Sequence, residues 1–95
     1  MNDLKLNIKD IGGVVAKKDE RYTVKDNARL KDIVLSSTQL NPDCATNGHQ
    51  HEGQEEVYLF QSGSGIMELD GREYAFEAGD IFLIEDNVFH KVTAG

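Results

Sequence analysis

Ile66-Met67-Glu68-Leu69-Asp70-Gly71-Arg72-Glu73-Tyr74-Ala75-Phe76 sets a two-residue Asp-Gly loop between two runs of largely apolar residues. A type I′ turn needs positive φ at both central positions, which Asp-Gly tolerates, so the stretch predicts a hairpin of Ile66 to Leu69 with Arg72 to Phe76. Towards the C-terminus, Glu77-Ala78-Gly79-Asp80 predicts a turn, Ile81 to Ile84 a strand, Glu85-Asp86-Asn87 another turn and Phe89 to Thr93 a last strand. In the other direction, Ser62-Gly63-Ser64-Gly65 separates the hairpin from a strand at Glu56 to Gln61. Asn41-Pro42-Asp43 is turn chemistry, and Leu30 to Leu40, rich in Ile, Val, Leu, Ser and Thr, predicts one long strand. From Tyr22 onward the apolar period is two rather than 3.6, and no window of a dozen residues has a helical face. Short strands spaced about every 8–12 residues predict an all-β sandwich or barrel.

The first twenty-one residues differ in character. Leu4, Leu6 and Ile8 alternate with polar residues, Gly12-Gly13 breaks the pattern, and Lys17-Lys18-Asp19-Glu20-Arg21 reads as solvated. This predicts an edge strand and loop, or an arm that pairs with another subunit. The 95 residues make one expected domain, with residues 1–21 as arm or edge strand and 22–95 as barrel. A chain this short buries a modest fraction of its surface, so stabilisation by a metal or a second subunit is expected.

Seventeen acidic against ten basic residues give a formal charge of −7, with no local cluster of Lys and Arg. Such a chain repels phosphate backbones, which argues against nucleic acid as a partner. The longest apolar runs, Val57 to Phe60 and Ile81 to Ile84, are too short to cross a bilayer, and Met1-Asn2-Asp3-Leu4-Lys5 lacks the shape of a signal peptide. No membrane partner and a cytoplasmic location are expected. The single Cys44 cannot form an internal disulfide and reads as a small loop or core residue.

The chain has three histidines. On an extended segment, the spacing of His49 and His51 puts both imidazoles on one face, about 7 Å apart along the backbone, a span that two ring nitrogens can close on one ion. In so polar a stretch (Asn47 to Gly53) the pair alone reads equally well as two surface histidines. His90, opening the last strand, would by itself be a structural residue. Alternation sends Glu55 and Glu56 to opposite faces of their strand, and an inward carboxylate at the mouth of an apolar barrel needs a partner. An ion shared with the imidazoles is a natural one.

In order, Asp43, His49, His51, Glu56 and Gly63 follow the spacing of a first motif, G-x5-H-x-H-x3-4-E-x6-G. Gly79, Glu85, Asn87, His90 and Ala94 follow that of a second, G-x5-P-x-G-x2-H-x3-N. The chain thereby resembles the cupins over Asp43 to Ala94. Asp43 and Asn87 stand where the family has glycine, and Asp and Asn are the side chains that best tolerate positive φ. Glu85 replaces a proline and Ala94 an asparagine, neither a metal ligand in the family.

The resemblance implies a double-stranded β-helix, or jelly-roll barrel, and a divalent metal held by His49, His51, Glu56 and His90. Three imidazoles and a carboxylate suit Fe, Mn, Ni, Zn or Cu better than Ca or Mg, and leave positions open for a small-molecule ligand. Candidate activities are those of sugar isomerases and epimerases, dioxygenases and decarboxylases, with a sugar or keto acid as the preferred ligand. A binding or sensor module without turnover, and a piece of a larger protein, are the alternatives. Alternation from Glu56 directs Tyr58 and Phe60 inward, and Tyr58 is the candidate catalytic hydrogen-bond donor or general acid. Met67, Tyr74, Phe76 and Phe82 read as plain core, Gln54 as a weak ligand-orienting candidate, and Glu52 and Glu55 as surface acids. Cupins continue beyond the third histidine for one or two more strands whereas this sequence stops at Gly95, so a homodimer, with the Leu4 to Ile8 arm swapped, is expected to cover the open edge.

Overall fold

The computed structural model of the protein describes residues 4–95. Met1 to Asp3, part of the amino-terminal arm read from the sequence, lie outside the described residues. Among those described there are eight strands and no helix: β1 (Val14–Lys18), β2 (Tyr22–Asn27), β3 (Leu35–Leu40), β4 (Glu56–Leu59), β5 (Ser64–Leu69), β6 (Arg72–Glu77), β7 (Ile81–Ile84) and β8 (His90–Ala94). No helix long and apolar enough to cross a membrane occurs among them. The chain divides after Asn41 into two compact units.

The first unit is an antiparallel sheet ordered β1-β2-β3, with a register shift between Val15 and Lys17. Its buried apolar residues are Ile11 and Tyr22. Asp19 closes the β1–β2 connection: its carboxylate accepts the Arg21 backbone N–H at 2.7 Å and pairs with the Arg21 guanidinium at 2.8 Å. That guanidinium, with the backbone hydrogen bond, holds the Asp19 carboxyl below its usual range.

Three sequence expectations need correction in this unit. Leu4, Leu6 and Ile8 form no strand: the Asp10 N–H donates to the Asn7 carbonyl at 2.9 Å and the Lys9 N–H to Asn7 Oδ1, so Asn7 makes a turn where alternation predicted extension. Lys17 and Lys18 are not loop but the end of β1, paired with Val24 and Thr23, because charged side chains suit an exposed edge. The strand expected at Leu30 to Leu40 exists only as Leu35–Leu40. Asn27 Oδ1 accepts the Arg29 N–H at 3.0 Å, a turn at the end of β2, and residues 30–34 form a loop before pairing resumes.

The second unit has a three-stranded antiparallel sheet, β6-β5-β8, and a two-stranded one, β4-β7. The Asp-Gly loop makes the predicted hairpin, with φ of 47° at Asp70 and 83° at Gly71. Strand β5 begins at Ser64, so Ser64 and Gly65, read as turn residues, belong to the strand. A Cβ at Gly65 would run into the Thr93 carbonyl and meet the Phe76 ring at 2.9 Å, so glycine is what lets β8 and Phe76 approach it. Stacking of Phe60 on Phe76 (centroids 3.8 Å apart) and the edge contact of Tyr74 with Phe82 join the two sheets. Met67, Phe76, Ile84 and Val92 are the buried apolar residues, and His90 the buried polar one.

Candidate metal centre

Strand β8 carries His90 at its first position, and the preceding loop is built to aim it. Asn87 takes the left-handed conformation at φ 63°, as expected where the family motif has glycine, and so does Asp43, at φ 62°. Asp70, in the hairpin loop, accepts the Phe89 N–H on Oδ1 and donates its own N–H to the Phe89 carbonyl, both at 2.9 Å. The start of β8 is thereby fixed beside the end of β5. His90 Nδ1 lies 3.0 Å from the Val88 carbonyl, which can only accept, so Nδ1 carries a proton and Nε2 is the nitrogen turned to the other donors. That is the tautomer a metal requires.

His49 lies in an extended segment on the far edge of β8. The His49 N–H donates to the His90 carbonyl at 3.0 Å and the His90 N–H to the His49 carbonyl at 2.9 Å, so the two residues are directly opposed and their side chains share a face. His51 follows at the spacing that returns it to that face. Hydrogen bonds hold this loop against the one before β8: the Asn87 N–H donates to the His51 carbonyl (2.9 Å), Gln50 Nε2 donates to Asn87 Oδ1 (2.9 Å), and Asp86 Oδ1 accepts the N–H groups of Gly53 and Gln54. Glu56 opens β4 and is half-buried, whereas Glu55 is exposed, as alternation predicts.

These elements bring His49, His51, Glu56 and His90 together, with one donor atom from each lying within 4.8 Å of all the others. The Nε2 atoms of His90 and His49 are 3.0 Å apart, and Glu56 Oε1 is 3.4 Å from His90 Nε2 and 3.5 Å from His51 Nε2. Donors about 2.0–2.2 Å from one ion are about 3 Å apart at right angles and about 4.2 Å apart across it. The pairs at 3.0–3.5 Å match ligands at right angles, while a separation as wide as 4.8 Å has to close slightly around an ion, so the four residues form a candidate metal-binding group in which the two ring nitrogens at 3.0 Å are a natural pair of ligands. Burial is graded across the site. His90 forms the floor at 2% exposure, Glu56 is partly covered, and His49 and His51 are open to solvent.

Tyr58, one alternation along β4 from Glu56, places its ring 5.6 Å from that of His90, edge to face. Burial, and to a lesser degree the Glu56 charge, push its hydroxyl up to about 12, so it remains a protonated phenol at neutral pH. Phe60, Phe76 and Phe82 pack on one another away from the histidines, and Met67 is fully buried. Met67 and Phe76 are buried core, as expected, Phe60 and Phe82 are half-buried, and Tyr74, expected in the core, is exposed because it lies towards the open side of the sheet's inner face. Gln54 is exposed, and its backbone N–H is what the loop uses. Sequence reasoning missed the holding groups: Asp70, Asp86, Asn87 and the Val88 carbonyl. Asp and Asn in turns signal a side chain that caps nearby N–H groups, but not which ones, since the partners lie more than thirty residues away in the case of Asp86.

A family model for the cupin domain matches residues 37–95. The chain belongs to the cupin family. Its all-β build of antiparallel sheets is the cupin jelly roll, and the structures it resembles agree. KdgF from Halomonas sp. superposes with a TM-score of 0.77 at 19% identity, over 94% of this chain and 78% of that one. A predicted oxalate decarboxylase from Thermotoga maritima superposes with a TM-score of 0.66 at 22% identity, over 76% and 69%. In sequence, this cupin is 25% identical over 68 residues to an oxalate-binding protein of Thermotoga maritima, covering 72% of its own length but 56% of that relative.

Proposed function

We propose that this cupin holds one divalent transition metal through His49, His51, Glu56 and His90 and acts as an enzyme on a small oxygen-rich metabolite, a sugar or keto acid. The observation that carries the proposal is the convergence of four donors, from three separate parts of the chain, within 4.8 Å. When bound, such an ion supplies Lewis-acid polarisation of a chelating carbonyl or hydroxyl. The protein's share is positioning. The Val88 carbonyl keeps His90 in the ligating tautomer, and Asp86 and Asn87 tie the His49–His51 loop in place. Tyr58, beside His90 and still protonated at neutral pH, can donate a hydrogen bond to a ligand oxygen. The exposed His49 and His51 side is the way in. The names of the Thermotoga maritima matches, an oxalate-binding protein in sequence and a predicted oxalate decarboxylase in structure, agree with a small, oxygen-rich ligand. The first of those names, given for binding, also favours a second reading: a metal-loaded binding module without turnover.

Elemental analysis of the protein purified without added metal tests the assignment. Close to one equivalent of transition metal per chain is expected, and His90→Ala, which removes the buried floor of the site, should lose it. Metal retained in full by a His49→Ala, His90→Ala double variant would place the ion elsewhere and end the proposal.

The active form is proposed to be a homodimer. Val57 pairs with Leu83 and Leu59 with Ile81 across β4 and β7, and these four side chains are 57–72% exposed on the outward face. They present roughly 400 Å² in one block, within the range of the largest apolar patch on a protein surface, which is often functional.

A further inference from the structure

The cross-strand row that contains His90 and His49 runs on across the sheet, and it ends in a cation. Leu69 is paired with His90 on one side and with Arg72 on the other, so Arg72, Leu69, His90 and His49 stand in one line across β6, β5, β8 and the His49 segment. Directly opposed residues project to the same face of a sheet. The neighbouring line, Glu73, Glu68 and Lys91, projects to the other face. Arg72 is therefore on the face of the metal group, at the rim where the hairpin loop ends.

Charge makes that placement consequential. From Pro42 onward the sequence has only two basic side chains, Arg72 and Lys91, against eleven acidic ones. Lys91 lies on the opposite face, in line with Glu68. Arg72 is thus the basic residue this unit offers on the face of its candidate site, in surroundings that otherwise repel anions. It is exposed, and no carboxylate among the described residues is within ion-pair distance of it. Opposed Cα atoms in antiparallel pairs are about 4.5–5.5 Å apart, which puts Arg72 about 10 Å from His90 along the row. A ligand of about four carbons, chelating the ion at one end, has the length to meet an arginine side chain leaning over Leu69.

We propose that Arg72 is a carboxylate-binding residue that selects, among metal-chelating metabolites, acids with a second carboxylate beyond the chelating pair. This rests on the metal reading above and narrows its ligand class. A planar guanidinium recognises a carboxylate with two parallel hydrogen bonds, which an uncharged sugar does not reproduce.

The test compares malate with 2-hydroxybutyrate, which share four carbons and the same chelating hydroxy-acid head and differ in the distal carboxylate. Calorimetric titration of Mn(II)-loaded protein should show malate binding about tenfold tighter or more. Arg72→Met should abolish the preference while leaving Mn(II) and 2-hydroxybutyrate affinity unchanged, and Arg72→Lys should restore part of it. An unchanged preference in Arg72→Met, with Mn(II) bound, overturns the subsite alone. Failure of the wild-type protein to bind Mn(II) or other transition ions overturns the metal reading and the subsite with it.

Discussion

At the scale of single residues, the site depends on groups that would not ligate a metal themselves. Asp86 Oδ1 receives two backbone N–H groups from the loop that follows His51, and further ties between the two loops run through Asn87. In Asp86→Ala those N–H groups turn to water, and the loop loses its anchor while the imidazoles remain. Metal affinity is expected to fall about tenfold, with far-UV circular dichroism unchanged. An affinity equal to wild type would show that Asn87 suffices. This residue scale was only partly legible beforehand. The resemblance to the cupin motifs pointed to a cluster of His49, His51, Glu56 and His90, which the structure does assemble. Asp70, Asp86 and the Val88 carbonyl could not be read off, because hydrogen-bond partners of turn residues are set by which loops meet in space.

At the scale of elements, local chemistry forecast some strands well and others poorly, for a common reason. The Asp70-Gly71 hairpin followed from backbone sterics, which need nothing beyond the turn itself. The strand expected through Leu30 failed because apolar content alone does not make a strand without a partner for its backbone, and β2 ends at Asn27, leaving residues 30–34 unpaired with it. Gly65, read as a turn residue, is a packing residue instead. Gly65→Ala should overfill the space between Thr93 and Phe76 and cost about 1–3 kcal/mol in urea unfolding, whereas at a simple turn glycine such as Gly63, where a Cβ meets nothing, the penalty comes from φ alone.

The β1–β2 turn offers a pH test at this same scale. The Asp19 carboxyl is held below 3.8 in the folded protein by Arg21. Its contribution to stability is therefore present above the unfolded value and is lost as pH falls through the lowered one. Asp19→Asn should be less stable than wild type at pH 6, and the gap between their unfolding midpoints should close below pH 3.8. A gap independent of pH would mean that the turn geometry, not the ionised pair, is what Asp19 supplies.

At the scale of the whole molecule, two terms beyond the chain's own contacts are expected to carry stability. Metal is one: with free ion at a hundred times its dissociation constant, binding adds about 2.7 kcal/mol, so chelation should lower Tm by several degrees in wild type and not in His90→Ala. Association is the other. The outward block of Val57, Leu59, Ile81 and Leu83 covers about half of the roughly 800 Å² that each partner contributes to a standard interface, so the contact must extend past it. Leu83→Glu would bury a charge in the proposed contact. Light scattering should report a dimer for wild type and a monomer for Leu83→Glu; a monomeric wild type would remove the dimer from the account.

The all-β class and the hairpin follow from local sterics and spacing, while the left-handed residues at Asp43 and Asn87 and the order of the candidate metal ligands follow from the resemblance to the cupin motifs, which a linear string also carries. Which strands lie side by side does not. The pairing of β5 with both β6 and β8, and of His49 with His90 across forty residues of chain, is decided by which apolar faces can be buried together. That pairing turns three scattered histidines and a glutamate into one centre, and it is also what puts Arg72 in line with them.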